Sequence, residues 1–195
     1  MTNHIFFMHG MGGSSNGTIR LLRDAMLPCL SDPPAITLLD FPSGTAREYY
    51  SAVLAVADQF PTGSMLVGVS LGGLVAARLL QDHRPDLTVV TLASPTHAEG
   101  LALTKRLTPN LYALSSHNDP VLGDRTNWGD FTLDHADVDW MADHSIDPQK
   151  SSVALVLADF IEHENFMETI ELIGTQVGGD EASRRVDGGQ AQILQ

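Results

Sequence analysis

The sequence predicts an α/β fold: a mostly parallel central sheet with helices on both faces. Three observations carry this expectation. Short apolar, β-prone runs alternate with segments of helical spacing along most of the chain. The strand candidates are apolar almost throughout, as strands covered on both faces require. The turn-forming residues His9-Gly10, Ser70, Ser94 and Asp119 fall at the carboxyl ends of these runs, where parallel sheets place their sites.

The elements follow in order. Ile5–Met8 is a first strand, ending in His9-Gly10. Thr18–Leu27 has helical spacing, with Ile19, Leu22 and Met26 on one face. Ala35–Leu39 is β-prone and stops at Asp40-Phe41-Pro42. Thr45 and Glu48 stand at capping-box spacing and open a helix over Thr45–Val56. Met65–Val69 is a strand, and Leu71–Leu80 a helix with Leu71, Leu74, Val75 and Leu79 facing inward. Leu87–Leu92 and Asn110–Ser115 are further strands, and Phe131-Thr132-Leu133 is expected as a short last one. Asp147-Pro148 suits an N-cap and first helical position. Val153, Val156, Leu157, Phe160 and Ile161 then form one apolar helical stripe, with helical character expected as far as Ile173.

A chain of 195 residues, 43% hydrophobic, suits one domain with its own core. That domain is expected over residues 1–174. Residues 175–195 are polar, glycine-rich and poor in apolar residues, the composition of a disordered tail. The formal net charge is −13, which disfavours nucleic acid and anionic lipid as partners. No apolar run reaches the roughly 18 residues needed to span a bilayer, so no stable membrane insertion is expected. The first residues lack a basic leader region, and a cytoplasmic location is the expectation. Cys29 is the single cysteine and can form no internal disulfide; at the end of a helix it reads as a buried structural thiol.

The pattern G-x-S-x-G is the strongest chemical signal, and it occurs twice. Gly13-Ser14-Ser15-Asn16-Gly17 follows a glycine-rich loop with no strand running into it, so Ser15 reads as a loop or capping residue. Gly68-Val69-Ser70-Leu71-Gly72 has a strand before it and a helix after it. A serine hydroxyl is a poor nucleophile unless it is exposed, has a base in reach and has N–H donors beside it. A sharp strand-to-helix turn supplies the exposure, and flanking glycines let the backbones pass closely. Ser70 is therefore the candidate nucleophile.

His9-Gly10-Met11-Gly12-Gly13 ends the first strand with glycines that can turn backbone N–H groups toward a neighbouring site. It lacks the Gly-Lys-Ser/Thr ending of a phosphate-binding P-loop, and Ser15 stands where a dinucleotide fingerprint has its third glycine. Together, Phe7 to Ser14 and Gly68 to Gly73 resemble the α/β-hydrolase superfamily, in particular its small lidless lipases and esterases. Leu92-Ala93-Ser94-Pro95 is similar to a strand end found in lipase-like members. The resemblance spans about residues 5–161. It implies a minimal α/β-hydrolase fold without the family's first two antiparallel strands. It also implies an oxyanion hole from the N–H groups of Met11 and Leu71, a structural role for His9 beside Gly10, and chain order serine, acid, histidine.

The acid is expected after a late strand. Leu111–Ser115 runs into Ser116-His117-Asn118-Asp119-Pro120, which makes Asp119 the candidate, with Asp124 a weaker alternative. Three histidines follow in the order the resemblance implies; His163 falls within the last helix, which leaves His144 and His135. His144 precedes the strong final helix, where the family carries its base. His135 follows Phe131-Thr132-Leu133 and stays open as the alternative. The expected activity is hydrolysis of carboxylic esters through Ser70, Asp119 and His144, on a small-molecule ester or acyl substrate and without cofactor. Acyl transfer, thioester cleavage and perhydrolysis would use the same three residues, and a non-catalytic ligand-binding member of the fold is a further alternative. The stretch Thr96–Thr108 is too short for a large lid. A metal site is not expected: His135, Asp137, Asp139 and His144 lack zinc-type spacing.

Overall fold

The computed structural model describes residues 4–41, 44–104, 106–138, 144, 146, 152–163 and 170. Six parallel strands form the sheet: β1 (His4–Met8), β2 (Ala35–Leu39), β3 (Met65–Val69), β4 (Thr88–Leu92), β7 (Leu111–Ser115) and β8 (Asp134–Asp137). Their order is β2-β1-β3-β4-β7-β8. A two-stranded hairpin, β5 (His97–Ala98) with β6 (Leu101–Ala102), lies outside it. The helices are α1 (Thr18–Met26), α2 (Ala46–Leu54), α3 (Leu71–Asp82) and α4 (Val153–His163).

Parallel strands need crossovers, and helical crossovers cover both faces of the sheet. Each inner strand therefore sends alternate side chains into two separate cores. Ile5, Phe7, Met65, Val67, Val90, Leu92 and Leu114 pack with Ile19, Leu22 and Met26 of α1 and Val156, Leu157 and Phe160 of α4. Phe6, Met8, Leu66, Val89, Leu111 and Ala113 pack on the other face with Tyr49 and Val53 of α2 and Leu74, Val75 and Leu79 of α3. This division is why the strands read as unbroken apolar runs. The Thr45–Glu48 capping box is formed, with each side chain meeting the other residue's backbone N–H.

Two expectations are corrected. Phe131-Thr132-Leu133 is not a strand; the last described strand is Asp134–Asp137, paired from Tyr112↔Asp134 to Ser115↔Asp137. It is an edge strand in which His135 and Asp137 are exposed, while Ala136 and the following Val138 reach the core. Charged residues on an edge are common because they discourage further pairing. Cys29 is exposed rather than buried. It sits in a 3-10 turn, Leu27–Cys29, that ends α1 and turns the thiol away from the core, with Sγ 3.6 Å from Ala25 O. The expected helix start at Asp147-Pro148, the extension to Ile173 and the tail lie outside the described residues, as does Asp139. No described helix is long and apolar enough to cross a membrane.

Candidate active site

Ser70 sits between β3 and α3 with φ 51° and ψ −122°, a left-handed conformation that side-chain-bearing residues rarely adopt. The turn is fixed from both sides: Ser70 N–H donates to Leu92 O at 2.9 Å, and Gly73 N–H donates to Ser70 O at 3.0 Å. The flanking glycines are required by contact. A Cβ added at Gly68 would stand 2.4 Å from Gly73 Cα, and one at Gly73 would stand 2.0 Å from Ser94 Oγ. A Cβ at Gly72 would meet His9 O at 2.6 Å and Met8 O at 2.7 Å. The first turn of α3 thus lies directly against the ends of β1 and β3, and Ser70 is lifted to the carboxyl edge of the sheet. Leu71, the first residue of α3, is buried; N–H groups in a first helical turn have no partner within their own helix.

The loop after β1 reaches the same point. A Cβ at Gly10 would stand 3.0 Å from Ser70 Cβ and 3.6 Å from Ser70 Oγ, so the Gly10 backbone lies against the serine. Met11 follows and is 66% exposed. His9 is buried and holds this loop. Its Nε2 accepts Phe41 N–H at 3.2 Å, so its proton is on Nδ1, which donates to Gly10 O at 2.8 Å. Tyr49 Oη–H donates to His9 O at 2.9 Å. Burial, with Asp40 nearby, pushes the Tyr49 phenol well above its ordinary value, so it stays protonated and keeps that bond. The contribution of Tyr49 was not read from the sequence.

Asp119 leaves β7 in a tight turn and its side chain is fully buried. Oδ1 accepts the N–H groups of Val121 at 2.8 Å and Leu122 at 3.2 Å. Oδ2 lies 2.5 Å from His144 Nδ1. An ionised carboxylate can only accept, so Nδ1 donates, and in the neutral ring Nε2 keeps a free lone pair. The His144 side chain is 20% exposed and its φ is 58°. The acid turn is anchored to the end of β4: Thr96 N–H and Oγ1–H both donate to Arg125 O, and the Trp128 indole N–H donates to Ser94 O at 3.0 Å. The Arg125 guanidinium donates to Leu122 O and Val121 O.

The structure brings Gly10 against Ser70 and His144 against Asp119. It takes His135 elsewhere: this residue lies in β8, paired with Ala113, beside Gly129. Asp124 lies in the turn Gly123–Thr126, outside the Asp119–His144 pair. Ser15 lies in the loop before α1, hydrogen-bonded to Asp40. Among the described residues no three metal-ligating side chains gather.

Solved structures share this arrangement of strands and helices. Alpha/beta hydrolase domain-containing protein 10 from mouse superposes with a TM-score of 0.64 at 13% identity, over 85% of this chain and 92% of that one. The chain has the α/β-hydrolase fold. The ydeN gene product from B. subtilis matches this fold with a TM-score of 0.62 at 15% identity, over 83% of this chain and all (100%) of that one. The pyrethroid hydrolase PytH matches it with a TM-score of 0.55 at 13% identity, over 84% of this chain and 99% of that one. No family model matches the sequence, and neither does any curated protein. Among the described residues, the first strand of the sheet is the one that carries the His-Gly loop, and the segment between β4 and β7 holds the short β5–β6 hairpin.

Proposed function

We propose that this chain is a serine hydrolase that cleaves carboxylic esters, with Ser70 as nucleophile, His144 as base and Asp119 as the acid that orients it. The observation that carries the proposal is the Asp119 Oδ2–His144 Nδ1 contact of 2.5 Å, which leaves Nε2 free as a proton acceptor at the sheet edge that carries Ser70. The strained Ser70 turn and the Gly10 backbone against it support the same reading.

In the proposed reaction, His144 Nε2 takes the Ser70 proton as Oγ bonds to the acyl carbon. The carbonyl electron pair moves onto oxygen, where Met11 and Leu71 N–H groups stabilise it. Collapse of this intermediate breaks the bond to the leaving alcohol, which takes the proton from His144. Water then repeats the sequence on the acyl-enzyme, releasing the acid and restoring Ser70. Asp119 holds the ring in the Nδ1–H tautomer and stabilises its charged form. The short β5–β6 hairpin supports an open cleft, suited to small or exposed acyl groups rather than a lipid interface.

Rates on p-nitrophenyl esters across acyl chain lengths, with labelling by a fluorophosphonate, test the proposal. Ester turnover falling with chain length and labelling confined to Ser70 are the expected results. Turnover only when an alcohol, thiol or peroxide acceptor is supplied would move the assignment to acyl transfer or perhydrolysis. Neither turnover nor labelling would favour a ligand-binding module.

A further inference from the structure

The two N–H groups proposed to face the oxyanion belong to different elements. Met11 follows β1 in the His-Gly loop, and Leu71 opens α3. They can act on one oxygen only if the loop is held at a fixed place and a fixed rotation against α3. Stabilisation of this kind depends on donors that are aimed before the reaction begins.

The rotation is set at Gly10. Its carbonyl accepts from His9 Nδ1–H at 2.8 Å and from Gly13 N–H at 3.1 Å. The Gly10–Met11 peptide is trans and planar, so its C=O and N–H point in opposite directions. Two donors on the Gly10 oxygen therefore aim the Met11 N–H.

The place is set one peptide earlier. His9 O lies against the first turn of α3, where a Cβ at Gly72 would stand 2.6 Å from it. The same oxygen accepts the Tyr49 O–H at 2.9 Å. Tyr49 shares the buried face of α2 with Ala46 and Val53. Its ring stacks on the His9 ring, with centroids 5.4 Å apart. One side chain of α2 thus holds both the carbonyl and the imidazole of the residue that aims Met11. Burial pushes the phenol above its ordinary value, so the bond persists across the pH range in which a histidine base works.

We infer that Tyr49 is a positioning residue of the oxyanion hole: through His9 O, its hydroxyl holds the His-Gly loop at the spacing from Leu71 that lets both N–H groups share the developing charge. The inference rests on the ester hydrolysis proposed at Ser70. Tyr49 is 2% exposed, so it acts through the loop and not on the substrate. Its loss should raise the barrier and leave substrate binding alone.

Tyr49→Phe keeps the ring and removes the hydroxyl. On a p-nitrophenyl ester it should lower kcat about 10–100-fold with KM within about twofold, since a small misplacement of a group aimed at the transition state is costly. Affinity for a trifluoromethyl ketone, whose hemiketal oxygen takes the oxyanion position, should fall by a similar factor. The amide shifts of Gly10 and Met11 in the ¹⁵N-labelled protein should move as well. Tyr50→Phe is the control. It removes a hydroxyl from the same helix, one that donates to Asp82 Oδ2 instead, and it should change none of these readouts. With ester turnover by the unsubstituted chain, four results would each overturn the inference alone: unchanged kcat in Tyr49→Phe, a kcat loss with inhibitor affinity retained, unmoved Gly10 and Met11 shifts, or equal losses in both variants. Neither turnover nor fluorophosphonate labelling by the unsubstituted chain would overturn the reading beneath it, and the inference with it.

Discussion

Asp119 and His144 are 25 residues apart in the chain, yet their side chains meet at 2.5 Å, with the carboxylate fully buried and the ring 20% exposed. The carboxylate's other oxygen is occupied by two backbone N–H groups, so it cannot turn away from the histidine. Asp119→Asn should therefore keep the fold and lower kcat by about 10³–10⁴-fold, because an amide can stabilise the wrong ring tautomer. Steady-state kinetics with a p-nitrophenyl ester check this. A loss under tenfold would remove Asp119 from the proposed role.

His144→Ala should be as damaging as Asp119→Asn, and Ser70→Ala/His144→Ala no worse than either single change, because groups acting as one unit are not additive. His135→Ala should stay within about twofold of the unsubstituted chain, since its side chain is exposed on the edge strand. The reverse pattern would transfer the base to His135.

Ser70 offers a stability prediction independent of turnover. Its φ of 51° is strained for serine and natural for glycine. Ser70→Gly should abolish activity and raise stability by about 1 kcal/mol, measured by urea unfolding. An unchanged or lower midpoint would argue against strain at this turn.

Gly73→Ala should destabilise the protein by about 1–3 kcal/mol, because the new methyl would collide with Ser94 Oγ and Cβ. Adding Ser94→Gly removes both of those atoms and should recover part of the loss. The Gly68 carbonyl, 2.9 Å from the same Cβ, keeps recovery incomplete. A double-mutant cycle on melting data measures the coupling.

Asp86 sets an acid-side dependence. The Arg84 guanidinium donates to both its oxygens and also to Ala57 O and Phe60 O, and that bonding holds the Asp86 carboxyl below its ordinary value. A carboxyl with a lowered folded pKa contributes stability above its unfolded pKa and loses it as pH falls through the folded value. Asp86→Asn should therefore lower the melting temperature at about pH 7 and matter little near about pH 2. Equal effects at both pH values would refute the linkage.

Much of the fold was readable because its signals are local. The capping box at Thr45 and Glu48, the apolar runs of β1, β3 and β4, and the glycines around Ser70 each state a constraint within a few residues. The contacts that demand those glycines, such as Gly73 with Ser94, were not readable, since they join separate strands. The last strand was misread because Asp134–Asp137 is polar by composition. Its signal, Ala136 and Val138 facing inward between outward residues, is a two-residue alternation too short to stand out beside Phe131-Thr132-Leu133. Cys29 was misread because a 3-10 turn changes the direction of the chain within one helical turn.

By itself, the sequence determined the parallel α/β architecture and the strand–turn–helix at Ser70, since hydrophobic periodicity and glycine placement act over short distances. The chain order implied by the α/β-hydrolase resemblance, with His163 set aside inside the last helix, restricted the acid's partner to two histidines. Only the tertiary structure decided that His144 meets Asp119 while His135 is carried onto the outer strand. The physical reason is that β8 pairs with β7 through backbone hydrogen bonds, which any sequence can make. That pairing consumes His135 in the sheet, while His144 meets the buried carboxylate.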